Sequence, residues 1–86
     1  MNINVDKARS LVVTTESGSR YIFESRAGHI AYRKGFSEGI DVQFLNDISI
    51  GERLKFSSRD YDQYDNLSKE VVIRETSRVI RVDVLG

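Results

Sequence analysis

The chain of 86 residues contains no cysteine, no proline and no tryptophan. Without cysteine there is no disulfide, no thiolate metal site and no cysteine nucleophile. Without proline nothing interrupts a hydrogen-bonded ladder, which suits a chain made mostly of paired strands. No apolar run nears the roughly 18 residues of a membrane span. The opening residues 1–6 lack the basic and apolar regions of a signal peptide. No sign of charge prevails, since thirteen basic side chains face thirteen acidic ones. A protein whose main business is coating duplex DNA carries a basic excess, so duplex DNA is not an expected partner. The single histidine excludes a site built from several imidazoles. No phosphate-loop, dinucleotide or nucleophile-elbow pattern occurs. The expectation is one domain over residues 1–86 in the cytoplasm, neither an enzyme nor the holder of a cofactor or metal.

What is present is a strong hairpin signal. Leu11-Val12-Val13-Thr14-Thr15 and Ser19-Arg20-Tyr21-Ile22-Phe23-Glu24 flank Glu16-Ser17-Gly18. If Ser17-Gly18 alone turns the chain, Val12 faces Phe23 and Thr14 faces Tyr21. If Glu16-Ser17-Gly18 forms the loop, Leu11 faces Phe23, Val13 faces Tyr21, and Thr14 lies opposite Arg20. A slip of one residue exchanges the faces, so burial chooses the register. The second gathers Leu11, Val13, Tyr21 and Phe23 on one face and is preferred, with a type I turn and Gly18 left-handed at the bulge.

Further along, residues 1–8 suggest a short edge strand or a loose arm. His29 to Arg33 alternates as a third strand, and residues 34–39, with two glycines, read as a loop. Ile40-Asp41-Val42-Gln43-Phe44 alternates with Ile40, Val42 and Phe44 inward. Arg53 to Ser57 alternates again, and residues 58–66 form the longest polar stretch. Leu67 to Arg74 resumes strand character; it is also the best helix candidate, with Asn66 as cap, but Val71-Val72-Ile73 favours strand. Glu75-Thr76-Ser77 reads as a turn before a last strand over 78–84, with Ile80, Val82 and Val84 on one face. The pattern predicts an all-β barrel or compact sandwich of about six or seven short antiparallel strands. A barrel is preferred because closure removes both sheet edges. The last strand, ending at Leu85, then pairs with the first.

Three constellations can carry recognition. Between Glu24 and Glu38 lie Arg26, His29, Arg33 and Lys34 with no acid, interleaved with Tyr32 and Phe36. Guanidinium forks and aromatic faces suit phosphates and bases. The bland alternative is a solvated strand with Tyr32 in the core. Arginine supplies nine of the thirteen positive charges, and Arg20, Arg78 and Arg81 are expected near one another, either lining an anion site or paired across strands with Glu24, Glu75 or Asp83. The third is Asp60-Tyr61-Asp62-Gln63-Tyr64-Asp65-Asn66. It fails as a calcium loop, because Tyr64 stands where a ligand is needed and there is neither the turn glycine nor the final glutamate. It reads as an exposed acidic tip or, through Asp60, Tyr61, Asp62, Tyr64 and Asp65, as a docking site for a protein. His29 could serve as a general base beside Asp41 or Glu38, though a structural role is favoured.

Thr15-Glu16-Ser17-Gly18-Ser19-Arg20-Tyr21-Ile22-Phe23 and Thr76-Ser77-Arg78-Val79-Ile80-Arg81-Val82 resemble segments of short β-domain accessory proteins of bacteriophages and mobile elements. The resemblance is confined to these two ends and rests on turn and strand chemistry. It implies a protein that acts by binding, by occupying a host protein or sequestering a small ligand, with counter-defence as one such role. It assigns no functional residue. The combined expectation is a non-enzymatic binder of an anionic nucleotide-like ligand through Arg20, Arg26, His29, Tyr32, Arg33, Lys34, Arg78 and Arg81. The alternatives are an interaction module using loop 60–66 or a structural subunit. Balanced charge with segregated signs leads us to expect a homo-oligomer.

Overall fold

A computed structural model describes residues 10–62 and 64–85; the expected arm at 1–8 lies outside them. Six antiparallel strands, β1 (Ser10–Thr15), β2 (Arg20–Arg26), β3 (His29–Lys34), β4 (Ser37–Phe44), β5 (Arg53–Asp60) and β6 (Val72–Leu85), close in chain order into a barrel. Every described strand therefore has a neighbour on each side, which disposes of the sheet edges.

The first hairpin takes the three-residue loop. Leu11 pairs with Phe23, Val13 with Tyr21 and Thr14 with Arg20. Gly18 sits at a φ of 86° and its N–H donates to the Thr15 carbonyl at 2.9 Å. A side chain there would meet the steric cost of the left-handed region, which glycine avoids. Burial chose this register: Leu11, Val13 and Phe23 are fully buried and Tyr21 nearly so.

The core is one aromatic cluster inside the barrel. Phe23 and Phe56 meet edge-to-face with centroids 5.2 Å apart, Tyr32 stands 5.3 Å from Phe56, and Phe44 stands 5.0 Å from Phe23. Such pairs add about 0.5–1.5 kcal/mol each beyond the burial of the rings. Leu54, Val79 and Ile48 complete the packing. Ile48 lies in the loop between β4 and β5, whose shape is held by Asn46: its amide donates to the Arg53 carbonyl at 2.7 Å and its side-chain oxygen accepts the Lys55 N–H at 2.8 Å.

Several local expectations are corrected. Glu75-Thr76-Ser77 is not a turn but part of the single strand β6. The first half of β6 pairs with β5 and the second half with β1, the stagger that closing a small barrel demands. Thr76 lies buried at the crossover, where its hydroxyl accepts the Leu54 N–H at 3.0 Å. Residues 67–71 are neither strand nor helix; Leu67 makes one isolated bridge to Tyr61. Ile80 points outward, because a bulge carries the pairing from Thr15–Val79 to Thr14–Arg81 and leaves Ile80 unmatched. Val84 is likewise half exposed. Residues 34–39 reduce to a two-residue turn, Gly35-Phe36, between the paired Lys34 and Ser37. In β4 the alternation breaks at Asp41, whose φ is 57°. The register with β5 jumps there from Ile40–Arg59 to Gln43–Ser57. Val42 stays in the core and Ile40 turns to the outer wall, opposite in phase to the buried Gly39.

Candidate functional site

The break at Asp41 opens the barrel wall. β3 and β4 are paired only from Tyr32–Gly39 to Lys34–Ser37. Beyond that stretch β4 runs with β5, and a cleft of about 580 Å³ lies between the start of β3 and the bulge. Ile30, Val42 and Val71 supply apolar walls, while His29, Asp41 and Arg59 supply the polar groups. His29 Nδ1 donates to Asp41 Oδ1 at 2.7 Å, and Arg59 Nη1 donates to Asp41 Oδ2 at 3.3 Å. Arg59 Nε is anchored on the Ser68 carbonyl at 3.1 Å. The guanidinium is thereby held at two points, and its remaining N–H donors make no hydrogen bond among the described residues. The carboxylate that joins the imidazole and the guanidinium belongs to a residue in the left-handed region. A non-glycine residue held there, beside a bulge and a cleft, is the kind of local cost that concentrates at functional sites.

A second carboxylate network lies inside the barrel. Asp60 Oδ1 accepts hydrogen bonds from Tyr32 Oη at 3.0 Å and Ser58 Oγ at 2.6 Å, and Asp60 Oδ2 is ion-paired with Arg74. The Arg74 guanidinium lies 5.5 Å from the centre of the Tyr32 ring. Burial alone would raise the Asp60 pKa, but the hydrogen bonds from Ser58, Arg74 and Tyr32 hold it below the ordinary carboxylate value. Burial, with the hydrogen bond to Asp60, pushes the Tyr32 phenol up to about 12. Gly39 makes this arrangement possible. A Cβ there would come within 2.7 Å of Tyr32 Cε1 and 2.8 Å of Asp60 Oδ1.

The residues expected to bind a ligand do not converge on one place. Tyr32 is a core residue, nearly inaccessible, and its face is not available for stacking. Arg26 and Arg33 border a small notch of about 120 Å³ that also holds Glu24, Glu38 and Tyr61. Arg26 is paired with Glu24 at 2.9 Å, so the notch is neither strongly cationic nor large enough for a nucleotide. Lys34 Nζ lies over the Tyr21 ring at 5.3 Å. Arg20 and Arg81 do share a groove, one on either side of Thr14 across β1. Arg81 is paired there with Asp83, and Arg78 stands apart, opposite Arg53. His29 alone of the expected set enters the larger cleft.

The acidic loop is also sorted by structure. Asp60 belongs to the interior network and not to an exposed tip. The Asp62 carboxylate accepts the N–H groups of Tyr64 and Asn66 at 2.8 and 2.9 Å, and these bonds hold its pKa low. Asp62 is thus the organiser of the turn. Tyr61, Tyr64 and Asp65 are exposed, Tyr64 more so than Tyr61. Among the described residues no group of three or more acids or imidazoles is placed to hold a metal ion, and no helix is long and apolar enough to cross a membrane.

Arg59 and Arg74 carried no signal in the sequence, since each lies in an ordinary strand-like run and acquires its partner only from a neighbouring strand. Gly39 falls in a stretch that reads as a loop, and the close approach it permits becomes visible only once the structure places it inside β4. No protein-family model, curated protein or solved structure matches this chain.

Proposed function

We propose that the protein is a non-enzymatic binder that acts in the cytoplasm and takes a small anionic, nucleotide-like ligand in the cleft between β3 and β4. The observation that supports this reading is the convergence of His29, Asp41 and Arg59 on one apolar-walled cleft. Ligand sites combine apolar walls with a few placed polar groups in this way. The free donors of Arg59, and His29 when protonated, suit an anionic group. Asp41 offers an acceptor to a ring N–H or amino group, and Ile30, Val42 and Val71 offer a surface for a flat ring. A ligand with both an anionic end and an N–H-bearing ring satisfies all three. Sequestering such a ligand is the counter-defence role that the phage resemblance implies.

Thermal unfolding in the presence of nucleoside phosphates and cyclic dinucleotides tests the proposal. A ligand at about one hundred times its Kd adds about 2.7 kcal/mol to the native state, which raises the Tm by about 10 °C or more in a domain of this size. His29→Ala, a change at an exposed side chain, is expected to reduce that rise while leaving the unliganded Tm nearly unchanged. Absence of a rise with every nucleotide, or a rise untouched by His29→Ala and by Arg59→Met, removes the proposal.

A further inference from the structure

Three of the four phenylalanines, Phe23, Phe44 and Phe56, form the core, and the fourth is fully exposed. Phe36 occupies the second position of the two-residue β3–β4 turn. Gly35 precedes it with a φ of 58°, the place where a type II′ hairpin turn calls for glycine. A two-residue turn closed by the Lys34–Ser37 pair is a stiff mount, so Phe36 is displayed at little entropic cost to a partner. The surroundings are cationic. Lys34 and Arg33 precede the turn, and continuing the β2–β3 register two residues past Ile22–Arg33 brings Arg20 level with Gly35. Neither Arg20 nor Arg33 has an ion-pair partner among the described residues; Glu38, opposite Arg33, is the nearest acid in the ladder.

The 61–67 turn is built the opposite way. Asp62 and Asn66 close it through the Asp62 N–H to the Asn66 carbonyl at 2.9 Å and the two side-chain bonds already described. It displays Tyr64 at 75 % exposure beside Asp65. The molecule therefore presents two tips, each with one exposed aromatic ring among the described residues, one flanked by cations and one by acids, on a chain of zero net charge.

We infer that the β3–β4 tip is a docking element for a second copy of this chain, with Phe36 packing against Tyr64 and the cations near Phe36 facing Asp62 and Asp65 of the partner copy. Charge complementarity selects this occupant: the surface opposite in sign to the basic tip and like it in displaying one exposed aromatic ring is the chain's own acidic tip. A symmetric pair satisfies both tips at once, as closed assemblies do. An exposed aromatic ring flanked by arginine is also the composition of an interface anchor.

Sedimentation velocity at protein concentrations up to about 0.5 mM and low salt tests the inference. The expected result is a species heavier than the 9.8 kDa monomer. It should return to monomer with Phe36→Ser, and weaken several-fold when salt is raised to about 0.5 M, where exposed charges are screened. Arg33→Glu alone and Asp65→Lys alone should each lose the assembly, and mixing the two should restore it. A monomer at every concentration overturns the inference, as does an assembly indifferent to Phe36→Ser. Monomers that bind anionic phosphatidylserine vesicles only when Phe36 is present would also overturn it, by assigning the tip to a membrane surface. Because Phe36 is remote in register from the cleft, these outcomes are independent of nucleotide binding.

Discussion

Asp41 and Asp60 each hold an arginine across strands, yet they stand in opposite circumstances. Asp60 is the more buried of the two, lies in an ordinary strand against the core residue Tyr32, receives three partners and is bracketed by a glycine that makes room for it. Asp41 lies on the outer wall, in a left-handed conformation, joined to an imidazole and a guanidinium that are both partly open to water. The difference teaches which network serves the fold. A carboxylate that has lost part of its hydration must be matched by hydrogen-bond donors, and removing one of them leaves a part-buried polar group short of a partner. Half-exposed pairs contribute only a fraction of that. Asp41 carries a left-handed backbone cost that Asp60 does not, and this is the ground on which we propose the outer network as a recognition site.

The largest expected effect comes from forcing the interior network apart. Gly39→Ala places a methyl group against Tyr32, the Arg59 carbonyl and Asp60. Overpacking at a site walled by backbone, the buried Tyr32 ring and a part-buried carboxylate should cost about 3 kcal/mol, a fall in Tm of more than about 12 °C. A fall of only a few degrees in a thermal melt would show that the interior network is slack, and the contrast with Asp41 would weaken.

Tyr32→Phe should cost less, about 1.5 kcal/mol at neutral pH for a hydrogen bond to a charged acceptor, and it should change the pH profile. The folded Tyr32 phenol is raised to about 12, above its ordinary value of 10. Its contribution to stability is therefore whole below pH 10 and is lost as pH rises through 12. Asp60 is depressed, so its contribution is present above the ordinary carboxylate range and is lost as pH falls through the lowered value. Wild-type melts between pH 9 and 12 should decline more steeply than those of Tyr32→Phe; equal slopes would dissociate Tyr32 from the network.

The smallest effect on stability, and the most telling, is expected from Asp41→Gly. Glycine removes a backbone cost of about 1 kcal/mol in the left-handed region, which offsets the loss of two part-exposed pairs worth about 0.5 kcal/mol each. The Tm should stay level or rise slightly, while any nucleotide-induced rise disappears. A loss of 2 kcal/mol or more in denaturant titration would make Asp41 a structural residue like Asp60.

Local signals carried some of this and not the rest, for identifiable reasons. Glu16-Ser17-Gly18 specified its turn, because the loop type and the alternation of Leu11, Val13, Tyr21 and Phe23 agreed. The pairing of the last strand with the first followed from the need to cover edges. The turn expected at Glu75-Thr76-Ser77 failed because short polar residues look alike in a turn and in a strand that changes neighbours. Ile40 and Ile80 lie on the face opposite to the one that simple alternation indicates, because a single bulge reverses the phase across it. Asp60 was grouped with Asp62 and Asp65 by proximity in the chain, whereas β5 carries it inward and the following loop carries the others out.

The amino-acid order alone was enough for an all-β domain and for its first hairpin register, with Leu11, Val13, Tyr21 and Phe23 on the core face, since these rest on alternation and on the backbone freedom of one glycine. The barrel's closure in six strands, the bulge that opens its wall at Asp41 and the division of the acids between interior and surface depended on the folded chain. They arise from partners far apart in sequence, Asp60 with Tyr32 and Arg74, and Asp41 with His29 and Arg59, and no local pattern encodes which strand will lie beside which.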